Sequence, residues 1–226
     1  GITYVQLLRP GHPLLMGGMP LISDLRTGSM IGGAAELALL NAASAQMSHF
    51  YGLPVYSSSA LTDSKLPDIQ AGFEKGLTTA AVALAGAQYN HHAAGMLESM
   101  LTVAYEQYII DDDINGQAMR LVRGLEVNAD TLSLDVIHEV CHGEGHYLGH
   151  PQTLELMQRE FYYPHTADRT TRDEWEKAGA LDMRARAQQK ARQILAEYHP
   201  AIIPPEIDQK IRQAFNILLP AEAMNK

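Results

Sequence analysis

The chain has 226 residues, of which 46% are apolar and 19% are charged, a composition typical of a folded domain with a sizeable core and not of a disordered segment. Its net charge of −9 argues against binding to nucleic acid or to an anionic membrane, because both require clustered cations. The single cysteine, Cys141, excludes an internal disulfide and a cysteine-based zinc site. No run of about 18 apolar residues and no signal peptide are evident, so we expect a cytoplasmic protein without a transmembrane helix.

The first half of the chain alternates predicted strands with predicted helices. Residues 2–8 fit either the end of a helix or a short strand. Short apolar runs that lead into glycines or hydroxyl residues predict strands, and stretches with helical spacing of apolar residues follow them. The predicted strands are residues 14–18, 55–60 and 87–92, the loops are residues 20–33 and 61–72, and the helices are residues 34–50, 73–85 and, as one or two helices, 96–124.

After Gly124 all predicted elements are helical. They are residues 131–142 with Asn128 or Asp130 as N-cap, and residues 153–161, 171–198 and 204–219. Strand, polar loop and helix form the repeating unit of a parallel α/β fold, but the chain holds too few of these units to close a barrel. We therefore predict a partial barrel over residues 1–128 and a helical C-terminal region over residues 129–226, and we expect both to belong to something larger.

Asp24, Arg26 and Thr27 form a compact polar cluster after the first predicted strand. A carboxylate, a guanidinium and a hydroxyl at this position can contact a polar substrate, because parallel α/β folds keep their chemistry at the carboxyl ends of the strands. The alternative is a turn held by an Asp–Arg contact.

A denser polar cluster follows the second predicted strand. Asp63, Lys65 and Asp68 supply two carboxylates and an amine among hydroxyl residues. Gln70 and Glu74 lie one turn apart on the following helix and can point back into the same mouth. The alternative is a solvated loop in which Asp68 caps that helix.

The third predicted strand ends at His91 and His92. A histidine at a strand end can bind a metal or carry a proton, although one of two adjacent histidines is more often packed and the other solvated. Aromatic residues near the strand ends are compatible with a site for a methylated ammonium ion, which aromatic faces attract and which makes no N–H hydrogen bonds once fully methylated. These residues are Tyr56, Phe73, Tyr89 and Tyr105, and each of them can equally pack in the core or at the rim.

Four histidines spaced four residues apart, His138, His142, His146 and His150, suggest a metal site. Three glycines interrupt the helix that would align them, so a glycine-rich turn between helices is the favoured interpretation. A metal-dependent hydrolase built on these histidines is the alternative.

Ten stretches make a pattern that runs nearly from end to end. They are QLLRPGHP (6–13) with GG (17–18), DLRTG (24–28), FYGLP (50–54), TDSK (62–65), DIQAGFE (68–74), YEQYIIDD (105–112), RGLEV (123–127), GHYLG (145–149), TL (153–154) and WEKAGALD (175–182). In this order they resemble the trimethylamine:corrinoid methyltransferase family. No single motif is decisive, and Gln152 stands where the family pattern leads us to expect a histidine.

The resemblance implies a TIM (β/α)8 barrel enzyme of methylamine metabolism and methanogenesis. Such enzymes transfer a methyl group from a methylated amine to the cobalt of a corrinoid carried by a separate protein. This chain resembles the C-terminal portion, with the last barrel strands and the helical tail, and no tightly bound cofactor or metal is expected. One branch of the family carries pyrrolysine, expected here near residues 57–61. Its absence favours the branch that acts on quaternary amines such as glycine betaine.

For this reaction the protein holds the cation in line with cobalt and excludes water, and a neutral amine leaves without a general acid. The resemblance implies catalytic roles for Asp63, Lys65 and Glu74. It implies substrate-binding roles for Asp24, Arg26, Thr27, Tyr56, Ser58, Asp68, Gln70 and His91. Carboxylates would hold the cation, and Arg26 or Lys65 would hold a substrate carboxylate.

The expected partners are a small methylated amine and the corrinoid protein, and we expect the protein to form homo-oligomers. An incomplete barrel leaves open sheet edges, which favours pairing with a second copy or with a missing half. The alternative function is that of a non-catalytic half-barrel or interaction module. We expect the isolated chain to be inactive or nearly so, because half of the mouth would be absent.

Overall fold

The computed structural model describes residues 1–198 and 202–220 and has a mixed α/β architecture in which helices predominate. The helices are α1 (Ile2–Leu8), α2 (Ala35–Phe50), α3 (Ile69–Leu84), α4 (Tyr105–Arg123), α5 (Ala129–Leu132), α6 (Leu134–His142), α7 (Pro151–Glu160), α8 (Arg172–Lys177), α9 (Met183–Glu197) and α10 (Pro205–Ala214). The strands are β1 (Ile22–Ser23), β2 (Met30–Ile31), β3 (Tyr56–Ser58), β4 (Tyr89–His91), β5 (Met96–Leu97) and β6 (Thr102–Val103). Within these ranges, none of the helices combines the length and the apolar character needed to span a membrane.

A small parallel sheet forms the centre of the first half. β3 pairs in parallel with β4, so that Tyr56 lies opposite Tyr89 and Ser58 opposite His91. A single parallel bridge joins Met16 to the residue before β3. Three consecutive segments of the chain therefore run side by side in the same direction, with a helix in each connection. This arrangement is the repeating unit predicted from the sequence.

The helices of this half pack in chain order, α2 on α3 and α3 on α4. Ser57 points from the sheet toward α2, where its hydroxyl donates to Asn41 Oδ1 at 2.9 Å. The buried side chains are mostly small or branched, which permits close packing; they include Leu37, Ala38, Ala45, Val55, Ala71, Val82 and Ala83. The predicted α/β class is confirmed, and the strands of the described residues do not close into a barrel.

The strand predicted over residues 14–18 is reduced to the bridge at Met16. The Met16 N–H donates to Pro54 O at 3.0 Å, and Met16 O accepts from the Tyr56 N–H at 2.9 Å. Proline before this segment and glycines after it stop the pairing, because proline lacks a donor and glycine has no side chain to pack. The loop predicted over residues 20–33 contains the antiparallel hairpin of β1 and β2.

The helix predicted from residue 96 is wrong over residues 96–104. This segment forms the hairpin of β5 and β6, and α4 begins only at Tyr105. Glu98 and Ser99 have φ angles of 50° and 60°, which a right-handed helix does not allow. The apolar spacing is compatible with a helix, but the left-handed turn imposes the hairpin.

Three other predicted elements of this half are present, two of them with altered bounds. Residues 2–8 form the helix α1, and the strand predicted over residues 87–92 is the shorter β4. α3 begins before residue 73 because Asp68 caps it by accepting the Ala71 N–H at 3.0 Å.

The helix predicted over residues 171–198 is two helices, α8 and α9. Gly179 and Ala180 have φ angles of 98° and 51° and break the helical backbone. Asp182 then starts α9 by accepting the Ala185 N–H at 2.7 Å.

The other predicted tail helices are present with altered bounds. Ser133, with a φ angle of 54°, divides the helix predicted over residues 131–142 into α5 and α6, and Asn128 caps α5. α7 and α10 correspond to the helices predicted from residues 153 and 204. The predicted tail includes residues 199–201 and 221–226, which lie outside the described residues.

Asp113 fastens the tail to α4. Its carboxylate accepts the His165 N–H and the Thr166 N–H, both at 2.7 Å, the Tyr162 hydroxyl at 3.1 Å and the Thr166 hydroxyl. Burial acts to raise the pKa of Asp113, but these hydrogen bonds outweigh it and hold the pKa below its usual value. α9 packs along the same helix.

Candidate functional site

Three loops meet beyond the carboxyl ends of the parallel segments. Residues 17–34 follow Met16, residues 59–68 follow β3, and residues 92–104 follow β4. Parallel segments end at the same edge of a sheet, so the loops that follow them are brought together. The predicted polar clusters of the sequence lie in these loops.

An open pocket of about 690 Å³ lies where the loops meet, and we call it the mouth pocket. It brings together five predicted site residues from two distant stretches of sequence, Asp24, Arg26, Thr27, Asp63 and Lys65. The rest of its wall is Ser29, Met30, Ile31, Glu98, Ser99, Met100 and Leu101. Sequence reasoning missed the last four of these residues because it assigned them to a helix.

Asp63 joins all three loops at one carboxylate. Its Oδ1 accepts the Gly32 N–H and the Ser99 hydroxyl, each at 2.7 Å. Its Oδ2 accepts the Gly33 N–H at 3.2 Å. A carboxylate oxygen can accept two hydrogen bonds, so Oδ2 can still receive a donor or attract a cation from the pocket.

Glu74 supports the Asp63 loop from α3 and lies outside the mouth pocket. Its Oε2 accepts the Thr62 hydroxyl at 2.5 Å and the Asp63 N–H at 2.8 Å, while Oε1 accepts from Gln70 Nε2 at 2.8 Å. A Cβ atom added at Gly33 would overlap this carboxylate. Glu74 therefore contacts the loop and Gln70 contacts Glu74, whereas a direct position in the pocket was predicted.

Asp68 and Lys65 both lie in the second loop but have different partners. Asp68 Oδ1 accepts the Ala71 N–H at 3.0 Å and the Ser64 hydroxyl at 2.8 Å, and these hydrogen bonds lower the pKa of Asp68. Asp68 is thus a helix cap, as the alternative interpretation of its loop proposed. Lys65 is an exposed pocket residue, and its Nζ donates to Asp63 O at 2.8 Å.

Asp24 and Arg26 form an ion pair on the turn between β1 and β2. Arg26 Nη2 lies 2.6 Å from Asp24 Oδ2, and Arg26 Nε and N–H both donate to Asp24 Oδ1. The side-chain hydrogen bond from Arg26, with its backbone N–H, lowers the pKa of Asp24 to about 2. The Arg26 side chain is 88% exposed, so its guanidinium stands at the rim of the pocket.

The sheet face opposite Ser57 carries a ladder of rings. Tyr56 stacks on Tyr89 with ring centroids 5.0 Å apart, and the His91 ring lies 5.4 Å from Tyr56 and 3.7 Å from His92. Ser58 Oγ lies 3.2 Å from His92 Nδ1. Burial, with the adjacent His91, lowers the pKa of His92, which favours neutral imidazole. Three predicted residues, Tyr56, Ser58 and His91, thus share one face, with Tyr56 at its amino end.

Several polar atoms at these strand ends have no partner within the described structure. They are Ser59 Oγ, Asn90 Oδ1 and His91 Nδ1, all of them buried. Buried polar atoms normally find a partner, so this edge has unused capacity for hydrogen bonds. The other aromatic candidates, Phe73 and Tyr105, are exposed on α3 and α4.

Lys75 and Asp111 form a buried ion pair that sequence reasoning missed. Lys75 Nζ lies 2.9 Å from Asp111 Oδ2, and both side chains are 0% exposed. Burial lowers the pKa of Lys75 and raises that of Asp111, while each charge opposes the effect on the other. Asp111 accepts three hydrogen bonds, which favour the carboxylate and support the charged pair. The sequence signal that could have indicated this pair is a charged residue on an otherwise buried face of each of the two helices, α3 and α4.

The four regularly spaced histidines of the tail do not form one cluster, although the rings of His138 and His142 lie 4.2 Å apart. His142 Nδ1 bonds to His138 O at 2.8 Å, and His150 accepts the Gln152 N–H at the start of α7. Among residues 1–198 and 202–220, no three histidine, cysteine, aspartate or glutamate side chains are placed to share a metal ion. The described residues therefore give the hydrolase alternative no metal cluster.

Comparison with known proteins gives matches along almost the whole chain. The family model for trimethylamine methyltransferase (MTTB) matches residues 1–217. Glycine betaine methyltransferase of Desulfitobacterium hafniense (strain Y51) is 40% identical over 215 residues, which cover 95% of this chain and 44% of that protein. Trimethylamine methyltransferase MttB of Methanosarcina thermophila is 36% identical over 210 residues, covering 92% of this chain and 42% of that protein.

The chain thus spans less than half the length of these curated relatives. The family match nevertheless covers the strands, all three loops of the mouth pocket and most of the tail. The resemblance found in the sequence motifs is confirmed, and the chain belongs to the trimethylamine methyltransferase (MTTB) family.

Proposed function

We propose that the mouth pocket belongs to an enzyme that transfers a methyl group from a methylated amine, preferentially a quaternary amine, to a corrinoid protein. The observation that carries this proposal is the convergence of Asp24, Arg26, Asp63 and Lys65 on one pocket at the carboxyl ends of parallel segments. The chain that forms this pocket is 40% identical to a glycine betaine methyltransferase. Position, chemistry and relatives therefore point to the same reaction class.

The proposed architecture is the C-terminal part of a TIM barrel, residues 1–128, with a helical region, residues 129–226, packed on it. Three features support it: parallel segments in chain order, one helix in each connection, and helices that pack on their successors. The relatives are more than twice as long as the matched segment. Further barrel strands contributed by another part of the protein would pair with the open edges of the sheet.

The charges of the pocket suit a zwitterionic substrate. Asp24, Asp63 and Glu98 supply carboxylates, and Arg26 and Lys65 supply cations at the rim. A quaternary ammonium has no N–H donor, so it is held by negative potential and by ring faces, each contributing roughly 0.5–2 kcal/mol. Arg26 or Lys65 would hold a substrate carboxylate.

The ladder of Tyr56, Tyr89 and His91 offers ring faces on one face of the sheet, with His91 nearest the carboxyl edge and the two tyrosines at the amino end. The neutral imidazole of His92 adds no charge that would repel a cation. Binding by such faces discriminates against small, fully hydrated cations, because the methylated ion loses less hydration on entering.

The corrinoid is proposed to belong to the partner protein, where it supplies the nucleophilic cobalt that accepts the methyl group. The mouth pocket is open, which suits the approach of a bulky partner. The residues of this chain then have three tasks: to hold the ammonium, to orient one N-methyl group outward and to exclude water. A general acid is unnecessary because the departing amine is neutral. We place this reaction in the cytoplasm, in a protein that forms homo-oligomers.

The test is methyl transfer by the full-length natural protein with cob(I)alamin as acceptor. Glycine betaine, choline and trimethylamine with isotopically labelled methyl groups would be compared, with methylcobalamin detected by absorbance and mass spectrometry. We expect labelled methylcobalamin with at least one quaternary amine and little or none with residues 1–226 alone. Absence of transfer from all three amines by the full-length protein would overturn the proposal and favour the non-catalytic interaction module.

A further inference from the structure

The buried ion pair of Lys75 and Asp111 contacts two of the three loops that meet at the mouth pocket. Lys75 Nζ donates to Ala60 O at 2.7 Å, in the loop after β3. Asp111 Oδ2 accepts the Gly95 N–H at 2.7 Å, in the loop after β4. Lys75 and Asp111 are 2.9 Å apart, so one continuous chain of hydrogen bonds links the two loops through α3 and α4.

Both loops leave the sheet through left-handed residues that are not glycine. Ala60 has a φ angle of 59° and His92 one of 61°. Residues with side chains avoid this conformation, so surrounding contacts must hold them in it. Lys75 supplies such a contact directly at Ala60.

The same two loops then meet at the pocket itself. The Ser99 N–H donates to Thr62 O at 2.7 Å, and the Ser99 hydroxyl donates to Asp63 Oδ1. Glu74, the neighbour of Lys75 on α3, accepts the Asp63 N–H. The position of the Asp63 carboxylate therefore depends on where the ion pair holds the two loops.

Stability alone is a poor explanation for this pair. A buried ion pair contributes little net stability compared with well-packed apolar residues of the same size, because both ions lose their hydration. Two apolar residues would fill the space between α3 and α4, but they would give Ala60 O and the Gly95 N–H no partner.

We propose that Lys75 and Asp111 are positioning residues that fix the loops after β3 and β4 and thereby place Asp63 in the mouth pocket. The effect of this positioning on catalysis rests on the proposed function. The positioning of the two loops itself is a structural property. The two parts can therefore be tested separately.

The first test is hydrogen–deuterium exchange on the full-length protein and two double variants. Lys75→Met with Asp111→Leu removes both loop contacts while filling the space. Lys75→Met with Asp111→Asn keeps an amide oxygen that can accept the Gly95 N–H. The single variant Lys75→Met should lower Tm strongly because it leaves a buried unpaired carboxylate, and both double variants should regain most of that loss.

Positioning predicts a graded result. The Leu variant should exchange about tenfold faster in peptides covering residues 60–66 and 95–101, and the Asn variant mainly in residues 60–66. The proposal would be overturned if a double variant with recovered Tm exchanged at the wild-type rate in both peptides. If the Leu variant does not fold, the Asn variant decides: faster exchange in residues 60–66 supports positioning, and unchanged exchange refutes it.

The second test measures methyl transfer by the same variants. Positioning predicts that kcat of the Asn variant falls about tenfold while Tm is recovered and KM stays within about threefold, because the reacting group is misplaced more than the substrate is released. Recovery of kcat together with Tm would show a purely structural role and overturn the catalytic consequence. Failure of the proposed function is distinguishable, because the wild-type protein would then transfer no methyl group while the exchange result still stands.

Discussion

Two buried aspartates of α4, Asp111 and Asp113, hold opposite parts of the molecule. Asp111 accepts hydrogen bonds from α3, from α4 itself and from the loop after β4. Asp113 accepts its hydrogen bonds from residues 162–166, between α7 and α8 of the tail. One helix therefore positions both the mouth and the tail, but through carboxylates with different partners.

The two aspartates differ in what compensates their charge. Asp111 faces a buried lysine, whereas the Asp113 carboxylate is held by backbone N–H groups and hydroxyls. The pKa of Asp113 is consequently lowered, while burial raises that of Asp111. The comparison teaches that the mouth is fixed by an internal ion pair, and the tail by neutral donors that have no charge to lose.

The surfaces of the two regions are alike in one respect. Large apolar side chains are exposed in both, among them Leu25, Leu39, Phe50 and Leu101 in the first half and Leu134, Leu148, Leu154 and Phe161 in the tail. An excess of exposed apolar area is typical of a surface that another protein part covers, which agrees with the proposal that the chain works within a larger protein.

Removal of the tail anchor should have the largest effect on stability. Asp113→Ala leaves the N–H groups of His165 and Thr166 without their acceptor in a buried position. We expect a loss of about 3 kcal/mol in the free energy of unfolding, because hydrogen bonds to a charged group are the strong ones. Urea unfolding of the full-length protein measures it.

Asp112→Ala is the matched control, because Asp112 is the exposed neighbour on the same helix. It should change stability by less than about 0.5 kcal/mol. The folded-state pKa of Asp113 lies below 3.8, so its stabilisation is complete above that pH and declines as the pH falls below it. Equal losses of unfolding free energy in both variants, or a difference between them that persists at low pH, would contradict the role of Asp113 as the anchor of the tail.

A methyl group added at Gly33 should disturb the mouth. Gly33→Ala places a Cβ atom against the Glu74 carboxylate, which must move from the Asp63 loop. Overpacking of this kind costs about 1–3 kcal/mol, and we expect about 2 kcal/mol by urea unfolding. Gly72→Ala is the control: an added Cβ there meets open space in the described structure, and alanine should stabilise α3 by about 0.5–1 kcal/mol. If Gly33→Ala were as stable as the wild type, the loop would be able to move away from the added methyl group without cost.

The sequence predicts the mouth better than its individual contacts. Polar residues after short apolar runs predict side chains at the carboxyl ends of strands, and Asp24 and Asp63 line one pocket there because parallel segments end at one edge. The partners of those residues depend on tertiary contacts. The backbone N–H groups of Gly32 and Gly33 that bind Asp63 lie about thirty residues away in sequence, and no local pattern encodes them.

The errors at residues 96–104 and 171–198 have a common cause. Apolar spacing predicts helices well when the backbone stays right-handed, but Glu98, Ser99 and Ala180 adopt left-handed conformations that composition does not reveal. The buried pair of Lys75 and Asp111 escaped prediction for a related reason: charged residues at helix positions ordinarily face solvent, and burial depends on the partner that packs against them. The family resemblance draws on many positions at once, so it does not depend on any one of these local patterns.

Loss of the mouth carboxylate should lower turnover as well as stability. Asp63→Ala removes the group that meets all three loops and the negative charge of the pocket. We expect methyl transfer by the full-length protein to fall at least about tenfold, which corresponds to about 1.4 kcal/mol of transition-state stabilisation.

The control is Asp68→Ala, since Asp68 caps α3 and lies outside the mouth pocket. It should cost about 1 kcal/mol of stability and leave kcat within about twofold of wild type. If turnover were unchanged in Asp63→Ala, or reduced equally in Asp68→Ala, the assignment of Asp63 to the pocket and of Asp68 to a helix cap would be wrong.

The smallest effect is expected at the exposed rim. Arg26→Ala removes the main hydrogen bonds that lower the pKa of Asp24 to about 2, so that pKa should rise part of the way toward 3.8. The charged form of Asp24 is then stabilised less, so the contribution that its lowered pKa makes to folding stability above pH 3.8 becomes smaller. The overall stability should change little, because the pair is exposed. Carboxyl-carbon NMR titration measures the pKa, and Arg172→Ala, which breaks an exposed pair with Glu176, should leave it unchanged. A pKa that stays near 2 in Arg26→Ala would show that the turn backbone holds the charge, and Arg26 would then be available to a substrate carboxylate at no cost to Asp24.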